Sequence, residues 1–410
     1  MNITTPRRVL TLAALLAWTA VLLSTSGCAT PKQTASTEVA SFDQAVAEAT
    51  DSLAAQTQKL PAFMAKIELL AKDLDKRALV IDPMIDSASG QQTVVTRQLE
   101  EKVTARLASN HAQLPVLPFQ LANLNKSQYV LTGTMTRLQD PNAKAGARAP
   151  FQINLALTEV KTGTVVAQAS SRARDDGMDT TPTPYFRDSP VLVKDKVVDG
   201  YVRTSQTAPG QPADKDYFER LATATMINEA TVAYNGDKFQ EALDLYKAAL
   251  ATPSGEQLRT VNGIYLASWK LGRMQEAEQA FGKVVALGVA SNSLGVKFLF
   301  NPGTTDFWSD PKVSGPYALW MRQIARQTAQ AKVCMQVVGH TSRTGGEAFN
   351  DKLSAQRAVA IRQKLATEAA ELAGRTKTSG VGSRENIIGT GTDDVSDSLD
   401  RRVEFKIIGC

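Results

Sequence analysis

The stretch VVGHTSRTGGEAFNDKLSAQRAVAIRQKL, residues 337–365, begins as a strand and ends as a helix. The run ahead of it, AKVCMQVVG (331–339), is nearly all apolar, the texture of a strand covered on both faces. Ala358, Ile361, Leu365 and Leu372 mark the buried side of the helix, and Ser354 has the chemistry of its N-cap. That start places Arg357 in the first turn, where a cation is disfavoured by about 0.3–1 kcal/mol. A bound carboxylate reverses the sign, because helix amides, dipole and a forked guanidinium then face one anion. The competing arrangement folds Arg357 back onto Glu347 or Asp351. On either side, VKFLF (296–300) reads as a short strand and GPYALWMRQIARQTAQ (315–330) as a helix. RRVEFKII (401–408) reads as a strand with Val403, Phe405 and Ile407 inward and Arg402, Glu404 and Lys406 on a wet face.

GHTSRTGGEAFNDKLSAQRA, followed by GVGSRE and DRRVEF, resembles the OmpA-like domain that closes many Gram-negative envelope proteins, over residues 294–410. The resemblance implies an α/β sandwich that grips peptidoglycan through the free end of diaminopimelate in the stem peptide. It assigns the carboxylate to Arg357 and the pocket to Thr341, Ser342, Asn350, Leu353 and Arg401. Family members carry an aspartate for the ammonium where this chain has Ser342. A hydrogen bond to a charged group contributes about 1.5–3 kcal/mol, so binding weakened by roughly one to two orders of magnitude is expected. Glu347 or an aspartate of GTGTDDVSDSLDRR (Asp393, Asp394, Asp397, Asp400) is a candidate substitute acid. That acidic run lacks the D-x-D-x-D-G calcium pattern, so a solvated loop, with Asp400 paired to Arg401 or Arg402, is expected.

Upstream, AYNGDKFQEALDLYKAAL and ASWKLGRMQEAEQAFGKVV superpose at an offset of 35, Ala242 over Ala277 and Tyr246 over Phe281. Small residues with flanking aromatics at this period look like tetratricopeptide repeats over residues 216–290. Two repeats cannot bury a continuous face alone, so they lean on neighbours or on a protein partner. A helical spacer and a peptide-binding groove are both compatible with the pattern.

The N-terminal half reads as a mixed α/β domain over residues 41–175. SFDQAVAEATDSLAAQTQKL is a helix capped by Ser41, ALVIDPMID a strand closed by Pro83, and VVTRQLEEKVTARL a second helix. QYVLTGTMTRL is a further strand, and PFQINLALTEV alternates as a half-buried one before KTG turns the chain into TVVAQAS. The order of elements and YVLTGTM…LTEVKTGTVVAQAS resemble the periplasmic domain of CsgG-like, FlgO-like and LpoB-like lipoproteins. Residues 176–215, rich in Pro, Asp, Thr and Gly, read as an irregular linker.

At the start, a cationic MNITTPRR, the apolar run 9–23 and STSGC form a signal peptide over residues 1–27, too short for the roughly 20 residues that span a bilayer. The small residues before Cys28 resemble a lipobox, with ordinary signal-peptidase cleavage as the alternative. Lipidated Cys28, a polar tether over residues 28–40 and Ala29 after the cysteine imply an outer-membrane anchor facing the periplasm. In that oxidising compartment Cys334 and Cys410 either pair or remain thiols. A net charge of +5 with scattered cations does not make a nucleic-acid face. Two histidines, His111 and His340, with no H-E-x-x-H, nucleophile elbow or P-loop, leave no enzyme motif and no cofactor or metal site to expect. His340 reads as a structural hydrogen-bonder.

The fold class expected is α+β multidomain: a mixed α/β domain, a helical repeat pair and an OmpA-like sandwich. The function expected is a non-enzymatic lipoprotein that tethers lipid to wall and scaffolds a protein partner. The alternative is a regulator of a peptidoglycan synthase or of a secretion or flagellar assembly, acting through the N-terminal domain.

Overall fold

A seven-stranded sheet and a four-stranded sheet lie at the two ends of a run of helical hairpins. The computed structural model describes residues 38–57, 77–138, 149–292, 294–301, 303–387, 391 and 400–410, all within one compact unit, Ala35–Cys410. The signal peptide, Cys28 and most of the tether lie outside the described residues, as do Asp393, Asp394 and Asp397. Among the described residues, no helix is long and apolar enough to cross a membrane.

The strands are β1 (Val39–Ala40), β2 (Leu79–Ile81), β3 (Ile85–Asp86), β4 (Val116–Leu117), β5 (Tyr129–Arg137), β6 (Phe151–Glu159), β7 (Val165–Ala173), β8 (Leu294–Val296), β9 (Cys334–Gly339), β10 (Thr376–Gly380) and β11 (Val403–Ile408). The main helices are α1 (Phe42–Thr57), α2 (Val94–Asn110), α3 (Lys196–Ser205), α4 (Leu221–Asn235), α5 (Phe239–Leu250), α6 (Leu258–Lys270), α7 (Met274–Ala290), α8 (Tyr317–Gln330) and α9 (Glu347–Glu368).

The first sheet runs β1-β7-β6-β5-β2-β4, with β3 also on β5. Ser41 caps α1 by accepting from the Gln44 amide at 3.4 Å, and Thr93 closes a capping box on α2. Val46, Ala49 and Leu53 of α1 join Leu99, Val103 and Leu107 of α2 in one core against the sheet. The opposite face is covered too, which corrects the half-buried reading of β6: Asn154, Ala156 and Thr158 are buried. Part of that cover comes from the segment expected to be a linker: residues 176–215 hold a one-turn helix, Pro184–Asp188, and α3, whose Val198 and Tyr201 pack on this face with Tyr217 and Leu221, whereas Tyr185, Phe186, Val191 and Val193 are buried in the core of the hairpins.

That segment is a strap touching all three regions. The Thr183 amide donates to Gln92 O (2.9 Å) in the mixed domain. The Tyr185 hydroxyl donates to Arg259 O (2.7 Å), and Asp188 pairs with Lys270 (2.9 Å) of the hairpins. The Leu192 amide donates to Gly295 O (3.2 Å), extending the edge of the second sheet. One carboxylate, Asp195, accepts from Val197 and Val198 of α3 and from Leu258 of α6.

Helices α4 to α7 form two hairpins in which Ala242, Ala277, Tyr246 and Phe281 are all fully buried. Gly263 of α6 lies against the Tyr246 ring, where a Cβ would overlap it. The open end of the pair is closed by α8: Trp320 stacks on Phe281 and donates to the Tyr265 hydroxyl at 2.8 Å. The hairpins thus lean on both neighbours within the chain.

The second sheet runs β10-β9-β11-β8, with α8 and α9 packed beside it. The strand expected over VKFLF starts earlier, at Leu294, and Phe298, Phe300 and Phe307 instead form an aromatic bracket under Tyr317 and Trp320. Cys334 and Cys410 are joined in a disulfide that fastens the C-terminus to the start of β9.

Candidate functional site

Helix α9 begins at Glu347 with Gly346 as N-cap, not at Ser354. Ser354 is interior: its Oγ donates to Asp351 O (2.9 Å) and accepts from the Gly382 amide (3.0 Å). The helix can approach β9 and β10 this closely because Gly339 and Gly380 face it; a Cβ at either would overlap the backbone of Ser354 or Ala355. Arg357 therefore sits in the third turn, beyond the reach of the terminal dipole, contrary to the first-turn position expected from the sequence. Nor does it fold onto Glu347 or Asp351. Those two carboxylates face Arg384, at 3.5 and 2.6 Å.

Arg357 is 6% exposed. Its Nε donates to Thr304 O at 3.2 Å and its Nη2 to Asn301 O at 3.5 Å, while the guanidinium lies 4.7 Å from the centre of the Phe300 ring. Nothing in the sequence marks Phe300, Asn301 or Thr304 as neighbours of Arg357, although an Asn-Pro-Gly turn signal lies beside them.

Asn350, Leu353 and Arg357 recur at three- and four-residue spacing on one face of α9, all buried. Asn350 Nδ2 donates to Thr344 O (3.1 Å) and Ser342 O (3.4 Å), tying the loop after β9 to the helix. The Thr341 amide donates to Gly382 O (2.9 Å), and Thr341 O accepts from Asn386 Nδ2 (2.9 Å). Ser342 is buried beside them, at 6% exposure. Thr341, Ser342 and Asn350 are thus gathered at the C-terminal end of β9, and Leu353 and Arg357 continue the same buried face of α9. Arg401 lies at that same end of the sheet, two residues before Val403, which pairs with Gly339. Phe349, 55% exposed, stands beside the Gly303 turn at the rim.

The face of β11 expected to be wet is largely enclosed. Arg402 donates to Glu404 Oε1 (2.8 Å from Nε) and to Glu385 O (3.1 Å). His340 Nε2 is 3.6 Å from Glu404 Oε2. Burial raises the Glu404 pKa, but His340 and the Arg402 charge outweigh it and hold it at about 2. His340, Glu385 and Glu404 approach one another closely, yet Arg402 and Lys406 already face the two carboxylates, so the set is an ion-pair network. Asp400 is fully buried and accepts from the Ile387 amide at 2.6 Å; it is not a solvated acid.

Residues 299–398 match the OmpA family, and this C-terminal region is OmpA-like. Similar solved structures include an outer membrane protein from Borrelia burgdorferi B31 (23% identical, 28% of this chain and 88% of that one, TM-score 0.22). The peptidoglycan-associated lipoprotein of Burkholderia pseudomallei is 19% identical over 28% of this chain and 89% of that one (TM-score 0.23). The cell wall anchor of the T6SS from Pseudomonas aeruginosa is 22% identical over 28% and 80% (TM-score 0.24). Among curated proteins, Protein CTR9 homolog of Arabidopsis thaliana is 39% identical over 62 residues, 15% of this chain and 6% of that protein.

Proposed function

We propose that this chain is a non-catalytic envelope protein that associates with peptidoglycan through its OmpA-like region and carries a mixed domain and helical hairpins for a protein partner. The carrying observation is that Thr341, Ser342 and Asn350 meet at the end of β9, with Leu353 and Arg357 on the same buried face of α9. Arg357 is the carboxylate ligand, because a guanidinium is a bidentate fork for that group. Ser342 offers only a hydroxyl toward an ammonium, so the grip is weaker than with a carboxylate there. Lipidation at Cys28 and an outer-membrane, periplasm-facing location complete the reading. The disulfide supports it, since such bonds persist in oxidising compartments.

Sedimentation with purified sacculi tests the reading. Wild type co-sediments weakly, Ser342→Asp about ten-fold more tightly, and Arg357→Ala not at all; equal sedimentation by all three overturns it. The alternative, regulation of a synthase or secretion assembly through residues 41–175, is favoured by one observation. The strap bonds that domain to the hairpins and to β8, so a change in one can reach the other. Deleting residues 41–175 then abolishes the envelope phenotype, whereas a passive tether keeps it.

A further inference from the structure

Between α7 and α8 the surface opens into a cleft of about 470 Å³, a size at which ligand sites occur. Gly282 lines it. A Cβ there would lie 2.7 Å from Gln323 Oε1 and 3.2 Å from Gln327 Nε2, so the glycine lets both carboxamides of α8 close against α7. Glu278 is the one lining acid, and it is already answered: it accepts from Arg322 at 2.7 and 3.0 Å and from Gln323 Nε2 at 2.9 Å. Gln275, Gln279 and Lys283 of α7 and Arg326 of α8 line the same cleft, and all four are exposed. Among the described residues none of these four side chains makes a hydrogen bond or ion pair; Arg326 only pulls on Glu278 through space.

The lining therefore holds two cations in excess beside carboxamides, each of which offers a donor and an acceptor to a peptide group. Gln275, Gln279 and Lys283 form a row on α7 that rises about 6 Å per four-residue step. An extended chain advances about 3.3 Å per residue, so every second residue meets the next position of that row. By contrast, Tyr234 and Lys270 of the hairpins are already bonded to Asp188 of the strap. Resting on the reading above that the hairpins serve a protein partner, we infer that the α7–α8 cleft docks an extended acidic segment of that partner. Gln275 and Gln279 hold its backbone, and Lys283 and Arg326 hold its carboxylates.

The test is calorimetry of the full chain with three capped octapeptides, in which Ala alternates with Glu, Gln or Lys. The Glu peptide is expected to bind at least ten-fold more tightly than the other two. Lys283→Glu with Arg326→Glu removes that preference, and Gln275→Ala with Gln279→Ala weakens the Glu peptide at least three-fold. Co-sedimentation of both double variants with sacculi stays at the wild-type level. If the Gln or Lys peptide binds as tightly as the Glu peptide, or the charge reversal changes nothing, the acidic cleft is overturned while a peptide-binding role stands. If none of the three binds, both fall. Loss of sacculus binding on charge reversal would give the two cations to the wall and overturn the cleft as a peptide site.

Discussion

At the residue scale, the determinant is where Arg357 sits and what its guanidinium meets. It is buried on α9 against Phe300 and donates to a carbonyl oxygen of the turn, so truncating it removes both a cation and the packing beneath that turn. Arg357→Ala is expected to lower stability by about 1–3 kcal/mol in urea denaturation; Arg357→Lys keeps the charge but loses the fork. Glu404 gives a second prediction. Its pKa is held down at about 2, so its contribution to stability is full above the unfolded value and is lost as pH falls from about 4.5 toward 2. Glu404→Gln should be less stable than wild type at pH 7, with the gap shrinking across that window in acid titration followed by circular dichroism. A gap independent of pH would contradict the ion-pair assignment. The members of the cluster could be named from the sequence because they are motif residues. The burial of Arg357 could not, because backbone carbonyls are among its partners, and no side-chain pattern announces those. Ser354 misled for a related reason: a serine favours caps, yet here its hydroxyl is used inside the helix by Gly382.

At the scale of elements, periodic segments emerged where their patterns placed them: α1, α2, β5, β7 and β9 follow directly from spacing and turn residues. The failures are of coverage. The alternation of β6 says which face is more apolar, but not that a distant strap will cover the other. Nor does a composition rich in proline and aspartate reveal that Tyr185, Val191 and Val193 are core. Asp195 shows how the strap is fastened, since its two carboxylate oxygens cap two helices from different regions. Asp195→Ala is predicted to cost about 1–3 kcal/mol, measured by urea unfolding, and Asp195→Asn less. An unchanged midpoint would mean that the double cap contributes nothing.

At the scale of the whole molecule, strap, hairpins and OmpA-like region share one hydrophobic core that runs from Tyr185 to Phe405. The OmpA-like region and the hairpins are therefore expected to unfold together. Reducing the Cys334–Cys410 bond, which closes a loop of 76 residues, should remove roughly 4 kcal/mol and lower the thermal midpoint. The mixed domain carries a separate pH signature. Burial raises the Asp82 carboxyl to about 6, against the opposing charge of Arg259 and the Tyr217 hydrogen bond. Burial likewise raises Glu100 to about 7, reinforced by Asp82, although its carboxylate accepts from the Met84 amide. Both pKa values lie above the unfolded ones, so the folded state retains protons there and stability falls as pH rises from about 4 through 7. Asp82→Asn with Glu100→Gln should flatten that slope in unfolding measured between pH 5 and 8.

The carboxylate role of Arg357 is tested by titrating the full chain with two stem tripeptides, one with the diaminopimelate side-chain carboxylate free and one with it amidated, while following the Arg357 Nε resonance by NMR. The free acid is expected to shift that resonance and to bind at least ten-fold more tightly than the amide. Equal affinity for the two, with the Arg357 signal unmoved, would contradict it.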